Sequence, residues 1–171
     1  MFDEMRGSDE EESRVRPALE WIVDALNRHQ VRYQMVGGLA AKAYGARRAL
    51  VDIDIYVPFD EADSLLEEVR PYVIWGPVHY IGDEEVPWNL TFLKIEYGGQ
   101  RIELADTSTE PMFYDRKRRC WEEQRIDYED PVTVEIYGVV VDIMPKEELV
   151  RYKAALCRDV DVVDLEQIAD R

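Results

Sequence analysis

Val36-Gly37-Gly38-Leu39, then Arg48, then Val51-Asp52-Ile53-Asp54-Ile55-Tyr56-Val57: the order of these residues decides how the chain folds. Val51, Ile53, Ile55 and Val57 recur at every second position, the period of a strand with one buried face. Because side chains alternate across a strand, Asp52 and Asp54 emerge together on the other face, roughly 7 Å apart. Upstream, residues 31–36 read as a short strand stopping at Gly37-Gly38, and residues 39–44 as a short alanine-rich helix ending at Gly45. Glycines at a strand-to-helix turn let the backbone approach a ligand and aim N–H groups at phosphate. Neighbouring carboxylates repel unless a shared proton or a divalent cation compensates, and oxygen ligands at this spacing suit Mg²⁺ or Mn²⁺. A candidate metal site therefore lies beside a candidate phosphate site. Either half alone is common, since an Asp-x-Asp strand is most often a solvated edge and a Gly-Gly turn is ordinary turn chemistry. Their combination carries the weight, with a helix between them and thirteen residues separating Gly38 from Asp52.

Outward from this stretch, helices and strands alternate. Residues 14–29 carry Leu19, Ile22, Val23 and Leu26 at helical spacing, with Ser13 as the expected cap and Pro17 in the first turn. Residues 1–13, acidic and without periodicity, are expected to form a flexible leader. Asp60 is expected to cap a helix running to about residue 69. Residues 91–97 and 100–105 flank Gly98-Gly99, a two-residue hairpin loop. Residues 111–120 read as a helix bearing the basic run Arg116, Lys117, Arg118 and Arg119. A second hairpin turns at Tyr137-Gly138, and helices at 146–156 and 160–169 close the chain. The expected architecture is one α/β (α+β) domain over residues 14–171, a mixed β-sheet flanked by helices.

The whole composition narrows the function classes. A length of 171 residues, 46% hydrophobic and 34% charged, suits one globular domain. Asp+Glu at 37 against Lys+Arg at 21 gives a formal charge of -16, which repels nucleic-acid backbone and excludes an extended DNA interface or a membrane-surface protein. No apolar run reaches the roughly 20 residues of a membrane span, and the acidic start is the opposite of a signal peptide. Cys120 and Cys157 are too few for a disulfide framework and read as reduced thiols of a cytoplasmic protein. His29 and His79 are unmatched, and no Ser-His-Asp set or GxxxxGK[ST] loop is present.

The Gly-Gly turn followed by an acidic-apolar-acidic strand resembles the signature of the DNA-polymerase-β-like nucleotidyltransferase superfamily. Within it, Gly37-Gly38, Ala40, Gly45, Arg48 and Asp52-Ile53-Asp54 resemble the small AbiEii-type and minimal nucleotidyltransferases. Leu50 departs from the pattern, standing where many relatives carry Thr. The resemblance continues weakly through Lys153, Arg158, Asp161 and Asp164, although a solvated helix face explains Lys153 and Arg158 equally well. It implies a third carboxylate on a neighbouring strand, for which Glu96, Glu103 and Asp106 are at hand. Ile102 and Leu104 must face the core, so Glu103 points to the polar face, with Asp106 in reserve.

The resemblance implies transfer of a nucleoside monophosphate, AMP from ATP foremost, to a hydroxyl on a protein, an RNA or a small molecule. Asp52, Asp54 and Glu103 would hold Mg²⁺ or Mn²⁺ and carry the catalysis. Gly37 and Gly38 would cradle phosphate, and Arg48 and Lys153 would bind the nucleotide's negative charge. Two other readings accompany it. One is a non-catalytic antitoxin or interaction module, paired with a toxin partner or as a homodimer. The other is an enzyme that adenylylates an aminoglycoside or lincosamide antibiotic. Arg116, Lys117, Arg118 and Arg119 form the local basic cluster through which an RNA could be met.

Overall fold

The computed structural model describes residues 2–169. Among them run α1 (Phe2–Arg28), β1 (Gln34–Val36), α2 (Gly37–Ala43), β2 (Asp52–Val57), α3 (Asp63–Val69), β3 (Val73–Ile81), β4 (Trp88–Tyr97) and β5 (Gln100–Asp106). They are followed by β6 (Met112–Asp115), β7 (Cys120–Glu123), β8 (Val132–Ile136), β9 (Val139–Ile143), α4 (Lys146–Leu156) and α5 (Asp159–Ala169). The strands form one mixed sheet in the order β7-β6-β4-β5-β2-β1-β9-β8, with β3 on the other edge of β4. β1 runs parallel to β9 and β2 parallel to β5, while the remaining pairs are antiparallel. No helix among the described residues is long and apolar enough to cross a membrane.

Alternation builds two unlike faces. Ile53 and Ile55 of β2, Ile102 and Leu104 of β5, and Leu93 and Ile95 of β4 are buried in one core with Leu19, Ile22 and Leu26 of α1 and Leu65 and Val69 of α3. The opposite face carries Asp52 and Asp54, Glu103, and Phe92 and Lys94 at the intervening positions, all half-buried. This face holds the cavities described below. Val51 does not join the apolar row: it precedes β2 and is exposed.

Three local expectations are corrected. The segment expected as a leader is helical from Phe2, so Ser13 and Pro17 lie inside α1 rather than at its start. Tertiary anchoring sustains this first half. Glu11 accepts the Leu50 N–H at 2.8 Å and the Tyr137 hydroxyl, and pairs with Lys42 at 3.1 Å. Arg14 donates to the Leu50 carbonyl at 3.0 Å and to Gln100. The stretch 111–120 is not a helix. β6 and β7 pair with Tyr114 opposite Trp121, and the basic run forms their turn. Asp115 closes that turn by accepting the N–H groups of Lys117 at 2.8 Å and Arg118 at 2.9 Å, the Asx-type competition that defeats helix at such residues. Finally, α3 starts at Asp63 without a side-chain cap. Residues 59–61 form a separate 3₁₀ turn, whose Phe59 N–H is taken by Asp106 at 3.0 Å.

Candidate active site

β1 lies antiparallel to β2 with Val36 opposite Asp54, which brings the Gly37-Gly38 turn against the aspartates. Gly37 has φ +58°, and a Cβ there would collide with Asp54 Oδ2. Glycine at this position is thus a requirement of close approach as well as of backbone conformation. A Cβ on Gly38 would meet an Arg48 guanidinium nitrogen at 3.0 Å and Leu50 Cδ1 at 3.1 Å.

Strand register lines up the rest. Asp54 of β2 is opposite Glu103 of β5, Glu103 is opposite Lys94 of β4, and Lys94 is opposite Trp75 of β3. One row across four strands therefore reads acid, acid, base, aromatic. Burial, then Glu103, then Asp52 push the Asp54 carboxyl up to about 7, against the pull of Arg158 and Lys153. Asp52 Oδ1 is buried and accepts no hydrogen bond from the described residues. Orphaned buried carboxylate oxygens are rare, and an acceptor-only group beside a second carboxylate is suited to a cation. On that observation Asp52 and Asp54 fit a hard divalent ion. Glu103 is ion-paired with Lys94 at 3.2 Å, and among the described residues no three His, Cys, Asp or Glu groups converge on one metal position. The expected carboxylates share one sheet face, with Asp54 and Glu103 in one row and Asp52 two residues along β2, but they are not brought to one point.

Asp106, the reserve candidate, is buried and fully engaged elsewhere. It accepts from the N–H groups of Phe59 at 3.0 Å and Ser108 at 2.8 Å and from the hydroxyls of Ser108 at 2.7 Å and Thr109 at 3.1 Å. It organises the loop after β5 and lines neither cavity.

On the other side of the aspartates stands a cationic cluster assembled by the last two helices. Asp164 of α5, fully buried, receives Arg48 at 2.8 and 3.0 Å and Lys153 of α4 at 2.9 Å. Asp161, equally buried, receives Lys153 at 3.2 Å and Arg158 at 2.7 and 2.9 Å. Three cations share two carboxylates, leaving one positive charge in excess next to Asp52 and Asp54. A solvated helix face does not describe Lys153, whose side chain is 1% exposed.

Two cavities meet at the aspartates. A small one of about 140 Å³ is lined by Gly37, Gly38, Arg48, Asp52, Asp54, Lys153 and Arg158, among others. A larger one, about 540 Å³, lies on the open sheet face and is walled by Trp75, Tyr80, Trp88 and Phe92, with Lys94 and Glu103. Gly37, Asp52, Asp54 and Arg158 line both. Six of the seven residues singled out in the sequence thus border the small cavity, while Glu103 borders the large one. The sequence alone does not mark Lys94, leaves Trp88 as a core or rim residue able to stack on a base, and offers Asp161 and Asp164 only as part of a resemblance. The available signal was parity, which puts Trp88, Phe92 and Lys94 on one face of β4. The basic run borders neither cavity: Arg116 donates to the Glu84 carbonyl at 3.0 Å, and Arg118 pairs with Glu122 at 2.6 Å. His29 is paired with Glu68 at 2.5 Å, away from both cavities.

The chain matches no protein-family model and no curated protein in sequence. Its fold does match solved structures. A Thermotoga maritima protein provisionally assigned as a nucleotidyltransferase superposes with a TM-score of 0.67 at 18% identity, covering 93% of this chain and 95% of that one. The lincosamide antibiotic adenylyltransferase LnuA, in its lincomycin-bound form, superposes with a TM-score of 0.57 at 14% identity, covering 88% of this chain and 94% of that one. The mixed sheet and its helices thus form a nucleotidyltransferase-like fold.

Proposed function

We propose that this protein is a metal-dependent nucleotidyltransferase that moves a nucleoside monophosphate, AMP from ATP foremost, from a nucleoside triphosphate to a hydroxyl acceptor. The observation that carries the reading is the pair Asp52 and Asp54 beneath the Gly37-Gly38 turn, with a buried Asp52 oxygen that no group among the described residues satisfies. An interaction module gains nothing from such a pair, because unpaired carboxylates in a desolvated place cost stability. The likeness to small AbiEii-type enzymes in Gly37-Gly38, Arg48 and Asp52-Ile53-Asp54 supports the same reading.

Charge arranges the substrates. The small cavity, with Gly37, Gly38, Arg48, Lys153 and Arg158 on its wall, receives the triphosphate, whose negative charge meets the surplus cation of the buried cluster. Arg48 acts there with its orientation fixed by Asp164, as a partly exposed guanidinium already clamped on one side. Bound Mg²⁺ or Mn²⁺ would supply neutralisation of the phosphates and acidify the acceptor hydroxyl, and Asp52 and Asp54 are the residues that would hold it. The acceptor oxygen attacks the α-phosphorus, the bond from that phosphorus to the bridging oxygen breaks, and pyrophosphate leaves with the electron pair. Glu103, next to Asp54 in the row, takes the hydroxyl proton. The acceptor occupies the larger cavity on the Glu103 side. A small-molecule acceptor is favoured by that aromatic-walled volume and by the likeness to an enzyme that binds lincomycin.

The experiment is incubation with each α-labelled nucleoside triphosphate, Mg²⁺ or Mn²⁺, and total cell extract. Label is expected on an acceptor, and it should vanish in the double variant Asp52→Asn/Asp54→Asn with the circular-dichroism spectrum unchanged. Undiminished labelling by that variant would sink the reading.

A further inference from the structure

The larger cavity carries information about the chemistry of its occupant, which only the nucleotidyl-transfer reading identifies as the acceptor. Its wall is made of aromatic rings, and such rings ordinarily attract cations to their faces. Here the faces of Trp75, Phe92 and Trp88 already hold cations from within. Lys94 Nζ stands 5.8 Å from the centroid of Trp75 and 5.7 Å from that of Phe92. The Arg158 guanidinium carbon lies 4.7 Å from the centroid of Trp88. Both are tethered, Lys94 by Glu103 at 3.2 Å and Arg158 by Asp161 at 2.7 Å. A cationic ligand seeking the faces of Trp75, Phe92 or Trp88 would have to displace a tethered charge from them. The carboxylates do not reverse this: Glu103 is compensated by Lys94, and Asp52 and Asp54 face the position suited to a divalent ion.

An uncharged or anionic ring meets the opposite situation. Val86, Leu90 and Ala105 add apolar surface between the aromatic walls, and an acidic substituent finds Lys94. The volume of about 540 Å³ falls among small-molecule pockets, which run from roughly 300 to 1,000 Å³. We propose that this cavity takes a flat, largely apolar hydroxy compound without a positive charge, and that Lys94 is the residue that excludes cationic ones. An antibiotic bearing several ammonium groups is therefore not its substrate, although the acidic surface of the molecule would draw such compounds near.

Three hydroxyindoles of one ring system and different charge test this: serotonin as the cation, 5-hydroxyindole as the neutral compound and 5-hydroxyindole-3-acetate as the anion. Calorimetric titration of the full chain in Mg²⁺ buffer, without nucleotide, should show the neutral and anionic compounds binding at least about tenfold more tightly than serotonin. Lys94→Met keeps the apolar stem, frees the Trp75 and Phe92 faces, and should bring serotonin to within roughly threefold of the neutral compound. Lys94→Arg should preserve the discrimination. Serotonin binding as tightly as the others in the wild-type protein overturns the proposal. So does discrimination unchanged in Lys94→Met, or a failure of all three to bind. Labelled-nucleotide transfer read in parallel separates the two proposals. The ranking without transfer leaves the cavity assignment standing and removes the enzyme reading, whereas transfer with serotonin preferred does the reverse.

Discussion

At the scale of single residues, Asp54 is a carboxyl whose surroundings shift it far from its behaviour in water. Burial first, then Glu103 and Asp52, raise its carboxyl to about 7, whereas an unfolded aspartate titrates near roughly 3.9. Between these values the folded metal-free protein binds a proton that the unfolded chain has lost. The contribution of this group is therefore fully present below about pH 4 and is lost as pH rises through 7. Asp54→Asn cannot titrate and removes that slope. Urea unfolding in a chelator at pH 5 and pH 8 should show the variant gaining on wild type at the higher pH by on the order of 2 kcal/mol; parallel profiles would contradict it. The aspartates and the glycine turn were legible in the sequence because strand alternation and the Gly-Gly pair are local signals. Lys94 was not, since its meaning depends on register: only β4 against β5 puts it opposite Glu103, and only β3 against β4 sets Trp75 beside it.

At the scale of elements, α5 is a clamp rather than a solvated tail. Its two buried aspartates collect Arg48 from the segment before β2, Lys153 from α4 and Arg158 from the bend between the helices. Removing one carboxylate leaves buried cations uncompensated, which costs about 3–5 kcal/mol, while replacing a whole buried pair by apolar groups costs far less. Asp164→Ala should accordingly lower the melting temperature by roughly 10 °C, and Arg48→Met/Asp164→Leu should recover most of that fall. Additive losses in the double variant would show that the pair is not acting as a unit. Boundaries of α4 and α5 were readable from periodicity, yet the pairing of Asp164 with Arg48 was not, because an ion pair spanning more than a hundred residues leaves no local pattern. The misread stretch 111–120 shows the converse: a short apolar-and-basic run admits helix or strand, and the Asp115 turn contacts settle it only once the chain is folded.

At the scale of the molecule, the charge of -16 acts in two ways that a melting experiment can separate. Diffuse repulsion among surface carboxylates destabilises the compact state, and any salt relieves it by screening over about 8–10 Å. A divalent ion held by Asp52 and Asp54 acts instead by mass action on the folded state alone, adding RT ln(1 + [L]/Kd), about 2.7 kcal/mol at a hundredfold excess over Kd. NaCl and MgCl₂ at matched ionic strength should therefore both raise the melting temperature, with Mg²⁺ giving a surplus over NaCl. In Asp52→Asn/Asp54→Asn the NaCl effect should persist, since it belongs to the whole surface, and the surplus should disappear. A surplus that survives in that variant would place the divalent ion elsewhere on the acidic surface and take the aspartate pair out of the metal chemistry.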